Sequence, residues 1–177
     1  FVGTGFRRKG LDRLLKAWGA PQMKDVYLVV AGDDARRGRY EAVAERHAKN
    51  KIVFVGRRDD VESYYGAADL LALPAIQEAF GNVVLEALAA GLPVVVSETV
   101  GAAEILKGRL ADGIVAHPED PKEMATTLSA MLERARSGDF SSEARKLAEA
   151  YSWGNHFKRL DGFLNDIVKR GGGGLSS

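Results

Sequence analysis

The chain contains no cysteine in its 177 residues, which excludes a disulfide scaffold, a thiolate metal centre and a cysteine nucleophile. It also lacks an excess of charge of either sign. The 25 Lys+Arg against 24 Asp+Glu leave a formal charge of +1, without the large basic surplus of a nucleic-acid or anionic-membrane binder. Long apolar runs are absent too: none approaches the ~18–20 residues of a membrane-spanning helix. Histidine is scarce, and His47, His117 and His156 are too scattered for metal-ligand spacing. What the chain has in quantity is hydrophobic residues, 46% of the total. With almost no net charge, that composition excludes disorder. It supplies a core for one domain of ordinary size.

The apolar residues come in short unalternating runs at 26–31, 52–55, 70–73, 93–96 and 113–116, bounded by Gly32, Gly56, Pro74, Gly91 and Pro118 respectively. Such runs are what strands look like when both faces of a parallel sheet are covered. Phe1-Val2-Gly3 reads as the end of a further strand. Helical patterns fill the gaps. Leu11, Leu14, Leu15 and Trp18 fall at i, i+3, i+4 and i+7, and 40–48, 61–68, 83–90 and 124–135 behave similarly. Ser152 and Trp153 open a last long helix carrying Phe157, Leu160, Phe163, Leu164 and Ile167. This order predicts an α/β domain over residues 1–170, built on a doubly wound, Rossmann-like parallel sheet of about six strands. The glycine-rich residues 171–177 read as a flexible tail. The chain is expected to be part of a longer protein.

In doubly wound sheets ligands bind beyond the carboxyl ends of the strands, so the loops after Val2, Ala31, Val55, Leu73 and Val96 are the ones to inspect. The first runs from Gly3 through Thr4, Gly5, Phe6, Arg7, Arg8 and Lys9 to Gly10. Glycines let backbone approach a ligand, and three adjacent cations suit an anion near a helix start. It is not a dinucleotide fingerprint, because position 8 is arginine. A solvated basic surface turn is the other reading of this segment. The loop after Leu73 is more specific. Gly81 and Asn82 sit where a helix starts, so free amides face the ligand side. Glu78 precedes them and Glu86 lies about one turn further on. A carboxylate accepts two hydrogen bonds from a vicinal diol, which suits ribose or hexose hydroxyls.

Residues 78–96 read E-A-F-G-N-V-V-L-E-A-L-A-A-G-L-P-V-V-V, with Glu78 and Glu86 in E-x7-E spacing. This resembles the retaining GT-B glycosyltransferases of group 1 (family 4). Agreeing pieces run from Lys9 and Gly10 through Ala68 and Asp69 to Ser152 and Trp153. The opening residues 1–13 further resemble the lipopolysaccharide core glucosyltransferases.

The resemblance implies the C-terminal, donor-binding domain of a two-domain enzyme that transfers a hexose, glucose in particular, from a nucleoside diphosphate sugar, UDP-linked. Glu86 then holds the ribose hydroxyls and Glu78 contacts the donor sugar. The backbone around Phe80, Gly81 and Asn82 holds sugar and diphosphate, with Gly3 and Gly5 lining the first loop. Lys9 neutralises the diphosphate. The family's usual arginine falls at Thr4, and Arg7 or Arg8 takes over its charge. Arg57 and Val61 are weaker candidates for the base pocket. There is no D-x-D, the metal–diphosphate clamp of the other common glycosyltransferase fold, so neither a metal nor a cofactor is expected. The acceptor, a glycan or lipid-linked core, belongs to an N-terminal domain outside this chain. The chain by itself is therefore expected not to turn over donor. A cytoplasmic location, peripheral at the inner membrane through that domain, is implied as well. The same architecture also fits a nucleotide-sugar 2-epimerase, against which E-x7-E with Lys9 argues, or a non-catalytic nucleotide-binding module.

Overall fold

The computed structural model describes residues 1–48, 50–108, 110–138 and 140–171. Strands and helices alternate: α1 (Leu11–Ala17), β1 (Leu28–Ala31), α2 (Arg37–Ala48), β2 (Ile52–Gly56), α3 (Val61–Ala67), β3 (Leu71–Leu73), α4 (Asn82–Ala90), β4 (Val94–Ser97), α5 (Ala103–Leu106) and β5 (Ile114–Val115). Three helices follow: α6 (Pro121–Arg136), α7 (Phe140–Ala150) and α8 (Trp153–Gly171). The expected tail begins one residue early, since Gly171 still belongs to α8; residues 172–177 lie outside the described residues.

All strand pairing is parallel. β1 pairs with β2, Leu28 opposite Ile52 and Val30 opposite Phe54. β4 lies between β3 and β5, with Leu71 opposite Val94 and Val96 opposite Ile114. The described strands thus form a pair and a triplet rather than one continuous ladder. The segment 1–3 joins β1 through the Val2–Ala31 bridge, and the amide of Gly3 donates to Ala31 O at 2.9 Å. An apolar cleft of about 300 Å3 is lined by Phe1, Val2 and residues of β1 and β3.

Burial differs between the two sheets. All four residues of β4 are buried, as an unalternating run requires. In β1 and β2, Val29 and Val53 face solvent, because helices cover only one side of that pair fully. Helices α1, α2 and α6 pack together, and α3, α4 and α7 form a second group. The helical patterns foresee these helices except α7. Its buried positions are Phe140, Ala144 and Ala148, a stripe made mostly of alanine and easily passed over.

Phe6 anchors the first loop to this core. Its ring is fully buried and meets Phe1, Tyr40 and Phe54 with centroids 5.9, 5.3 and 6.3 Å away. Replacing it by alanine is expected to cost about 3–5 kcal/mol of stability, read from urea unfolding. A loss under about 1 kcal/mol would mean that the loop does not depend on this anchor.

Helix α8 stands apart. Trp153, Phe157, Leu160, Phe163, Leu164, Ile167 and Val168 form an apolar stripe, and all are exposed, Trp153 by 74%.

Candidate anion and diol site

The first loop is held by its own backbone and by one acid. Lys9 N donates to Gly5 O at 3.1 Å and Leu11 N to Phe6 O at 2.9 Å. Asp34 Oδ2 accepts from Phe6 N at 2.9 Å, so the turn after β1 fixes the turn after Val2. The stem of Lys9 runs against Gly3, where an added Cβ would lie 2.4 Å from Lys9 Cδ. Gly3 also has φ +141°, which side chains rarely adopt. Glycine here leaves a channel for the lysine.

That channel leads to Glu78. Lys9 Nζ lies 2.9 Å from Glu78 Oε2, and Arg8 Nη1 lies 2.8 Å from the same oxygen. Arg8 Nη1 also donates to Gln77 O at 3.3 Å. The backbone ties the same two loops, with Ile76 N donating to Arg8 O at 2.8 Å. The side chains of Lys9 and Glu78 are only 11% and 15% exposed, whereas Arg8 is 53% exposed. Burial pushes the Glu78 carboxyl up, but the hydrogen bonds and charges of Lys9 and Arg8 outweigh it and hold the group below the ordinary carboxylate range. Two cations on one carboxylate leave the cluster with a unit of positive charge to spare. Arg8, not Arg7, supplies the second cation; Arg7 is exposed at the surface.

The loop carrying Glu78 is braced from the other side by the segment after β4. Ser97 Oγ donates to Ala75 O, and Thr99 Oγ1 donates to the same carbonyl at 2.8 Å. Gly101 N donates to Glu78 O at 3.0 Å and Ala102 N to Phe80 O at 2.8 Å. A Cβ at Gly101 would sit 2.0 Å from Ala79 O, so only glycine allows the approach. Gly81 caps α4, no side chain occupies that cap, and Asn82 begins the helix. The helix dipole therefore ends beside the Lys9–Arg8–Glu78 cluster, where it adds to the attraction for an anion.

Glu86 lies four residues into α4, about 6 Å along its axis from Asn82. It is exposed, yet one oxygen is engaged: Tyr65 OH on α3 donates to Glu86 Oε2 at 2.8 Å. Burial, then the bond to Glu86, keeps the Tyr65 proton on well above the ordinary phenol range.

Of the sequence-derived candidates, Gly3, Arg8, Lys9 and Glu78 form one contact cluster, and Phe80, Gly81 and Asn82 continue from it into α4. Gly5, at φ +69°, and Arg7 lie on the outer side of the first loop. Arg57 is exposed beyond β2. Val61 begins α3, one turn before Tyr65 on the same helix. Asp34, Tyr65, Ser97, Thr99 and Gly101 are supports that the motifs alone do not name. Asp34 and the 97–101 segment lie in loops beyond strand carboxyl ends, and that position was the available signal. Tyr65 had none. Chemically, the arrangement offers a positively charged cluster beside helix amides, and a tethered carboxylate about one helical turn from the start of α4.

Comparison with known proteins identifies the family. The family model for group 1 glycosyl transferases matches residues 1–134. The lipopolysaccharide glucosyltransferase WaaG of Escherichia coli is 36% identical over 138 residues, 76% of this chain and 37% of the relative. The crystal structure of WaaG superposes with a TM-score of 0.71 at 34% identity, over 83% of this chain and 41% of that one. Anabaena HepE, solved with UDP and glucose, superposes with a TM-score of 0.77 at 24% identity, over 93% of this chain and 48% of that one. The chain spans about two fifths of the length of the curated relatives it matches, 41% and 37% for the first two. It has the Rossmann-like architecture of one half of a GT-B fold, and it belongs to the group 1 glycosyltransferases.

Proposed function

We propose that this chain is the donor-binding half of a retaining glycosyltransferase that moves a hexose, glucose first among the candidates, from UDP to a glycan or lipopolysaccharide core acceptor. The observation that carries the reading is the convergence of Lys9 and Arg8 on Glu78 beside the start of α4. As the anomeric C–O bond breaks, negative charge develops on the departing diphosphate and positive charge on the sugar ring. Lys9, Arg8 and the α4 amides stabilise the first. Glu78 sits against both cations, placed to bond a sugar hydroxyl and to face the ring as it becomes positive. No step in this scheme asks for a metal or cofactor. Glu86 takes the ribose diol. UDP is the nucleotide to try first because HepE was solved with it. The acceptor is held by an N-terminal domain, and the whole enzyme works in the cytoplasm, peripheral to the inner membrane. No described helix is long and apolar enough to cross a membrane.

The test is a titration with UDP, GDP and ADP followed by amide chemical shifts, alongside Glu86→Ala. UDP is expected to shift residues 3–9 and 80–86. Glu86→Ala is expected to weaken binding by about ten- to a hundredfold, as for a lost hydrogen bond to a charged group. No shift at millimolar nucleotide, in this chain and in the full-length protein alike, would remove the donor assignment.

A further inference from the structure

Tyr65 is buried to within 5% of full coverage, and its hydroxyl bonds an exposed carboxylate rather than a backbone carbonyl. If satisfying a buried phenol were all that mattered, a fixed carbonyl would serve without ordering a flexible side chain. A glutamate on a helix surface ordinarily samples several rotamers, and pinning it costs conformational entropy. The tyrosine has only two side-chain torsions, and its ring is fixed in the core between α3 and α4. Order therefore passes from the tyrosine to the glutamate.

We infer that Tyr65 is a positioning residue for nucleotide recognition: its hydroxyl holds Glu86 Oε2 and so turns the carboxylate plane to present Oε1, with the spare lone pair of Oε2, to a vicinal diol. Among the described residues no other group bonds Glu86, so Oε1 is open to a ligand. The hydroxyl keeps its proton across the working pH range, so it stays a donor toward the Glu86 carboxyl. The inference rests on the donor-domain reading and narrows it. The ligand class is a nucleoside diphosphate with both ribose hydroxyls, and discrimination for those hydroxyls runs through a residue that need not touch them.

The experiment compares UDP with 2′,3′-dideoxyuridine diphosphate by calorimetric titration of the wild type, Tyr65→Phe, Glu86→Gln and the double variant. Tyr65→Phe removes one oxygen, and amide spectra check that the fold persists. The expected result is a three- to tenfold loss of UDP affinity in Tyr65→Phe, unchanged affinity for the dideoxy nucleotide, and no further loss when Tyr65→Phe is added to Glu86→Gln. An equal loss for both nucleotides, or an additive loss in the double variant, would make Tyr65 a structural residue and overturn the inference. So would unchanged UDP affinity in Tyr65→Phe. A wild type that binds both nucleotides equally would remove this inference, and no binding of either by this chain and by the full-length protein would remove the donor reading with it. Only that last result counts against the donor reading.

Discussion

In the full-length enzyme, Lys9→Ala is expected to lower kcat/KM for donor turnover by about 10²–10³-fold, the scale seen when one preorganised charge-stabilising donor is removed from a reacting centre. Lys9 is the buried member of the cluster, so its attraction for an anion is weakly screened. Arg8 is half in solvent, and its attraction is weaker at the same distance. Arg8→Ala should therefore cost less, which makes the pair of variants an internal control. Steady-state kinetics with UDP-glucose reads the effect, and circular dichroism confirms the fold. A Lys9→Ala enzyme within threefold of wild type would show that the leaving group is stabilised elsewhere.

Glu78→Gln changes charge while keeping shape, and it should separate two roles of the same carboxylate. On the proposed donor reading it withdraws a negative charge from beside the sugar ring, and turnover is expected to fall by about 10²-fold. In folding it removes an ionic acceptor from Lys9 and Arg8, for a loss of about 1–2 kcal/mol near neutral pH. The pH dependence has a definite sign. The Glu78 carboxyl lies below its ordinary value in the folded chain, so its stabilisation is complete above the unfolded carboxylate pKa. It disappears as pH falls through the folded value. The stability gap between wild type and Glu78→Gln should thus narrow on acidification from pH 7 toward pH 3. Urea unfolding at both pH values measures the gap, and a constant one would show that the charge pair contributes nothing to folding.

Much of this architecture was legible before any coordinates. The runs ending at Gly32, Gly56 and Pro74 became β1, β2 and β3 because unalternating apolar residues have few other uses at that length. Gly81 preceding Asn82 marked the start of α4 through the physics of free amides. Even the convergence of 3–10 on 78–82 follows from the rule that loops beyond strand carboxyl ends share one rim. Other features were hidden for physical reasons. Helix α7 fully buries only alanines after Phe140, with Leu147 partly buried, so its face carries little signal. Whether Arg7 or Arg8 joins Lys9 depends on the direction of one turn, which composition does not encode. The Tyr65–Glu86 bond links residues 21 apart, and no spacing rule connects a tyrosine on one helix to a glutamate on the next.

The bracing of the Glu78 loop by residues 97–102 has a thermodynamic consequence. Carbonyls of Ala75, Glu78 and Phe80 are all engaged before any ligand arrives. The torsional freedom of that segment is thus surrendered when the chain folds, not when it meets a ligand. Association then carries little penalty for immobilising the main chain, and its entropy is governed by released water and by the ligand's own rotors. A rim of this kind recognises by fit to a standing shape, so a change in affinity among related ligands is expected to appear chiefly in how fast they leave.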